Sequence, residues 1–143
     1  MKTRTLLLLS VGVGLLILLA GGVKLLQVAT DRTEVRVLDL GESAVIGDMT
    51  VAVTSVSQDA DGTLVEISMS GVAGAAVIED WRLLGDGSVI EATGASSDDR
   101  FCSSRTLVPE GGSPARCTLR FAAVETVQAV AYTRAGEQRQ WAP

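Results

Sequence analysis

Hydrophobic and polar positions follow two different patterns along this chain, and the change falls near residue 34. Leu6 to Val23 carries no charge, and Ser10 is its only polar side chain. At about 1.5 Å per residue a helix over this run is about 27 Å long, close to a hydrocarbon core of roughly 30 Å. Leu25, Leu26 and Val28 extend the apolar stretch beyond Lys24. The pattern predicts a cytoplasmic tip at 1–5, a transmembrane helix at 6–26, a polar linker at 27–33 and one domain at 34–143.

From Glu34 the period falls to two. Val35, Val37 and Asp39 share one face of an extended segment, and Arg36 and Leu38 the other. Gly41-Glu42-Ser43 turns the chain into a short strand, Ala44 to Ile46, and Gly47-Asp48 turns it again. Met49, Val51 and Val53 alternate with Thr50 and Thr54, the signature of a half-buried strand over 49–56. The Gln58 to Gly62 stretch reads as a hairpin connection, with Gly62 free to take positive φ. Its partner strand is 63–70, with Val65, Ile67 and Met69 inward. Further strands are expected at 77–84 with Trp81 and Leu83 inward, at 89–92, at 105–108 stopped by Pro109, at 117–121 and at 127–133. A polar tail ends in Trp141, which either packs back on the sheet or meets the lipid interface.

No long amphipathic helix interrupts these strands, and glycine-rich turns recur at short spacing. The expectation is an all-β antiparallel sandwich with Val51, Val53, Val65, Ile67, Trp81, Leu119 and Phe121 in its core. No connection is long enough for a crossover helix, so purely antiparallel pairing is expected.

Charge gives the apolar run its direction. Lys2 and Arg4 precede it, and no acidic residue occurs before Asp31. Positive flanks stay cytoplasmic, so the domain is expected outside a single-pass membrane anchor. A cleaved signal peptide has the same charge pattern, and Ala20-Gly21-Gly22 offers small residues for cleavage. The length of the run favours the uncleaved anchor. Ser10 and Gly14 are spaced for close approach of two helices, although glycine is frequent in membrane helices without any dimer.

Three of the twelve basic residues and none of the seventeen acidic ones precede Asp31. The outer part therefore sets nine basic residues against seventeen acidic ones. Such a domain repels phosphate, so nucleic acid is not an expected partner. The partners expected are the membrane, through the helix, and an envelope protein.

Histidine is absent, which removes Ser-His and Cys-His nucleophile activation and most catalytic zinc sites. Lys2 and Lys24, the only lysines, lie at the membrane, so a Ser-Lys pair fails too. Cys102 and Cys117 both fall in the outer part, where an even pair is most simply a disulfide. Asp59-x-Asp61-Gly62 opens like a calcium loop but lacks the later ligands, and a hairpin turn suits it better. The candidate contact surface is the loop carrying Asp98, Asp99, Arg100 and Phe101, beside the expected disulfide. Its carboxylates, with Glu110, are also the residues to test for acid/base work or a cation, against a solvated loop. Phe101 is either a plug on a sheet edge or a partner contact. No catalytic residue, cofactor or metal is assigned.

Leu40-Gly41-Glu42, Ile46-Gly47-Asp48, the 49–56 and 64–69 strands, Trp81-Arg82-Leu83-Leu84 with Gly85-Asp86-Gly87, and Leu107 to Phe121 occur in an order that resembles bacterial extracytoplasmic immunoglobulin-like domains of unknown function. Such domains occur in lipoproteins and membrane-anchored envelope proteins. The resemblance covers roughly residues 35 to 133 and departs from the family at Ser70-Gly71, where an Asn-rich strand is common. It implies an immunoglobulin-like sandwich and offers no catalytic residues. The functional expectation is a non-enzymatic, anchored binding or accessory module of a cell envelope. The alternatives are a small-molecule or ion carrier using the end loops, and third an enzyme.

Overall fold

The change of period is a change of architecture. In a computed structural model, which describes residues 3–30, 36–94 and 98–143, the chain divides between Glu34 and Val35 into two compact units. The first holds α1 (Thr3–Thr30), an uninterrupted helix of 28 residues. Its Thr3–Ala29 stretch is long and apolar enough to cross a membrane, and a signal sequence has the same character. Apolar side chains are exposed along it, Leu8 and Leu18 among the most. The helix runs past residue 26 into the expected linker. No Gly or Pro interrupts Leu25–Thr30, and each residue added to a formed helix gains a hydrogen bond at little cost.

Among its described residues the second unit contains nine strands: β1 (Val37–Asp39), β2 (Ser43–Ile46), β3 (Met49–Asp59), β4 (Gly62–Ser70), β5 (Trp81–Gly85), β6 (Ser88–Glu91), β7 (Ala115–Phe121), β8 (Val127–Arg134) and β9 (Glu137–Ala142). They form two sheets of a sandwich, in the orders β1-β9-β8-β5-β6 and β2-β3-β4-β7. The alternation along β3, β4, β5 and β7 becomes the core. Val51, Val53, Val65, Trp81 and Leu119 are completely buried, with Ile67 and Phe121 nearly so. Trp81 lies at the centre, its ring 4.8 Å from Tyr132 and 6.1 Å from Trp141. Its Nε1–H donates to the Val77 carbonyl at 3.0 Å, which satisfies the one polar atom its burial strands.

The β3–β4 hairpin closes at Asp59 and Gly62 as the sequence suggests. Asp59 Oδ1 accepts the Asp61 N–H at 2.9 Å, so the carboxylate expected of a calcium loop is occupied in shaping the turn. Gly62 has φ 153°, and a β-carbon there would collide with the Phe121 carbonyl. Only glycine lets β4 lie this close to β7.

Four expectations need correction. The tail is a strand: β9 pairs with β8, and Trp141 is fully buried in the core rather than at a lipid interface. Pairing is not purely antiparallel, because β1 runs parallel to β9 through Val37–Gln140, Leu38–Trp141 and Asp39–Ala142. The crossover argument applies to strands joined by one connection; these two lie at opposite ends of the domain, with seven strands between them. The strand expected at 77–84 begins only at Trp81, after Asp80 takes φ 66° and breaks the extended backbone. The strand expected at 105–108 is reduced to a single bridge between Ala76 and Leu107, hemmed in by Pro109 and the Gly111-Gly112 turn.

Candidate functional site

β7 is the last strand of its sheet, and an edge strand exposes unpaired backbone groups. Here that edge is covered. The Thr118 N–H donates to the Arg100 carbonyl at 2.8 Å, and the Thr118 carbonyl accepts from the Cys102 N–H at 2.9 Å. Further along, the Thr93 N–H donates to the Arg120 carbonyl at 2.7 Å. Phe101 thereby lies beside Thr118 in a parallel bridge, so residues 100–102 act as a short extra strand.

A disulfide fixes this arrangement. Cys102 and Cys117 are bonded with their Cα atoms 5.2 Å apart, and Cys102 is 1% exposed. Phe101 is half-buried, with the Arg120 guanidinium 4.5 Å from its ring centroid. Phe101 thus sits on the sheet edge in a cation–π contact with Arg120.

The charged residues before it serve the same turn. Asp98 accepts from Arg100 Nη2 at 2.6 Å and from Nε at 3.1 Å, and its Oδ1 also takes the Arg100 N–H at 3.0 Å. The Arg100 side chain, and then its backbone N–H, hold the Asp98 carboxyl down at about 2, and Arg100 is pushed up in return. Asp99 is exposed. The structure thus brings Asp98, Arg100 and Phe101 into one stapled turn. It does not gather Asp98, Asp99 and Glu110: among the described residues no three potential metal-ligating side chains cluster.

The stapled segment forms one wall of a groove of about 630 Å³ on the outer face of the β2-β3-β4-β7 sheet. Thr54, Glu66, Ser68, Arg100, Arg116 and Thr118 line it, and Ala52 leaves its floor low. A β-bulge at Thr54–Ser55 sets the register on this face. Thr54 Oγ1 donates to the Glu66 carbonyl at 3.1 Å, and Ser55 Oγ donates to Glu66 Oε2 at 2.8 Å. Bulges bend and twist a strand and re-aim its side chains. Among the described residues Ser68, Arg116 and Thr118 have no side-chain hydrogen-bond or ion-pair partner.

Sequence reasoning selected the stapled turn and missed the groove. The groove residues are the outward halves of strands whose inward halves announced themselves by apolar alternation. Register alone brings Ser68 opposite Arg116 and Glu66 opposite Thr118. Two structural polar residues escaped notice as well. Asp86 accepts the N–H groups of Glu125 and Thr126 at 2.8 and 2.9 Å, joining the β5–β6 turn to the start of β8. Asp48, in the β2–β3 turn, pairs with Arg134 on the other sheet, with Nε to Oδ1 2.5 Å. That partner lowers the Asp48 carboxyl. Burial pushes the nearby Tyr132 hydroxyl up.

A scan against protein-family models finds no match to this chain, and neither does a search of curated proteins. Among solved structures, MPT63, a secreted protein from Mycobacterium tuberculosis, is similar with a TM-score of 0.53 and 14% identity, over 76% of this chain and 98% of that one. At this identity the likeness shows the fold: both are β-sandwiches.

Proposed function

We propose that the protein is a non-enzymatic binding module of a cell envelope, an immunoglobulin-like sandwich held outside the membrane by α1 with its N-terminus inside. The observation that carries this reading is the stapled turn at 98–102 beside the groove. A disulfide, two backbone hydrogen bonds and a cation–π contact hold one short segment against one strand, and an ion pair inside the segment shapes its turn. A rigid scaffold that fixes a wall beside a concave surface suits recognition. The disulfide fits an oxidising compartment, the apolar helix fits an anchor, and the secreted character of MPT63 fits the same side of the membrane.

Two experiments test the reading. Photo-crosslinkers placed at Asp99 and Arg116 in the full chain should give discrete adducts in membranes, and one placed at exposed Val89 on the other sheet should not. Adducts from Val89 alone would move the binding surface to that sheet. N-terminal sequencing of membrane-extracted protein should find residues 6–23 retained. A mature start near Val23 would replace the anchor with secretion.

A further inference from the structure

The groove has an asymmetric inventory of hydrogen-bonding groups. Its central patch consists of four outward side chains on two adjacent strands: Glu66 and Ser68 on β4, opposite Thr118 and Arg116 on β7. Strand geometry makes this patch about 5 Å across and about 7 Å along, roughly one pyranose ring. Arg116 is exposed and unpaired among the described residues, on a domain where acidic residues outnumber basic ones almost two to one. Its guanidinium is a planar fork suited to a carboxylate. Diagonally across the patch, Glu66 engages one carboxylate oxygen with Ser55 and leaves the other as an acceptor. An acceptor calls for a donor on the ligand, which a bare anion lacks. Ser68 and Thr118 supply hydroxyls that can donate or accept. Among the described lining residues there is no aromatic ring on which a neutral sugar would stack; Phe101 lies outside the lining, under Arg120.

We infer that this patch binds a hydroxylated carboxylic acid of the sugar-acid class, its carboxylate on Arg116 and a ring hydroxyl donating to Glu66. The inference rests on the binding-module reading and names its ligand. A free sugar acid and a uronic acid unit within a polysaccharide share this chemistry.

The test is NMR titration of the full-length, isotope-labelled protein in detergent micelles. Glucuronate should shift the amides of Ser68, Arg116 and Thr118 with saturation, and neutral glucose and inorganic phosphate should not. Arg116→Gln, an exposed change that leaves the core intact, should weaken binding at least tenfold, and Glu66→Gln should weaken it less. Tetragalacturonate binding tighter than galacturonate identifies the polymer as the source; equal binding identifies the free acid. Phosphate producing the same shifts would reduce the patch to a plain anion site and overturn the inference. So would glucuronate producing none. Groove crosslinks to a protein partner, combined with no response to glucuronate, would keep the binding module and remove this ligand.

Discussion

The sandwich closes its exposed backbone at two places by opposite means. At β7 the cover is covalent and local: Cys102 and Cys117 are 15 residues apart, and the cover needs only a short turn. At β1 the closure is non-covalent and distant. β9 adds to β1 in parallel, Leu38 is buried beside Trp141, and Trp141 Nε1–H donates 2.8 Å to the carbonyl of Glu42, 99 residues away. Closing a longer loop costs more chain entropy. The distant closure therefore depends on its largest side chain, and the local one on a bond. One edge is held by burial, the other by chemistry, and changes should affect them separately.

The largest effect belongs to the distant closure. Trp141→Ala removes a fully buried indole, its hydrogen bond to Glu42 and its contact with Trp81. A loss of roughly 3–5 kcal/mol is expected, read by urea denaturation with Trp81 fluorescence as the reporter. The amides of Leu38 and Asp39 should lose hydrogen-exchange protection first. A loss below about 1 kcal/mol would mean that β9 contributes little to holding β1.

The double change Cys102→Ser, Cys117→Ser removes the staple. The chain-entropy model assigns a loop of this size about 3 kcal/mol, acting through the unfolded chain. Exchange should quicken at the Thr118 and Cys102 amides, with β1 and β9 unchanged. Equal loosening at both edges would show that the closures are coupled.

How far these closures were legible differs for a physical reason. The staple could be read because two cysteines have only one possible pairing within the chain, and Phe101 stood out as an aromatic among charges. β9 was missed because its pattern, Glu137-Gln138-Arg139-Gln140-Trp141, shows a single apolar residue. A strand with one deep anchor leaves no alternation to detect, and the hairpin that joins it to β8 is marked by only the two turn residues Ala135 and Gly136, both at positive φ. The core strands β4, β7 and the first half of β3 were legible for the converse reason: one face turns consistently inward, so period two survives in the sequence. The outward face carries no such constraint, and the groove became visible only when register placed Arg116 opposite Ser68.

A smaller effect separates plug from core. Phe101→Ala should cost about 1 kcal/mol, the scale of a partly exposed cation–π contact, by the same denaturation assay. A core-sized loss of about 3–5 kcal/mol would instead place Phe101 with Phe121 in the interior.

The smallest expected effect lies in the Asp98–Arg100 pair, and pH resolves it. The folded Asp98 carboxyl titrates at about 2, below the ordinary 3.8 of an unfolded chain. A depressed carboxyl binds its proton more weakly when folded, so its stabilising contribution is fully present above the unfolded value. That contribution declines as pH falls from near 4 toward 2, where the folded group takes up its proton. Both partners are reached by solvent, with the Arg100 side chain 81% exposed, so salt should screen the pair. Carbon-detected NMR titration of the Asp98 side chain reads this directly. Arg100→Gln should raise its midpoint from about 2 toward 3.8, short of it because the backbone N–H of residue 100 remains, and leave the disulfide intact. A midpoint that stays near 2 in that variant would assign the shift to the backbone N–H of residue 100 rather than to the guanidinium. The turn, not the ion pair, would then be what holds this end of the local closure.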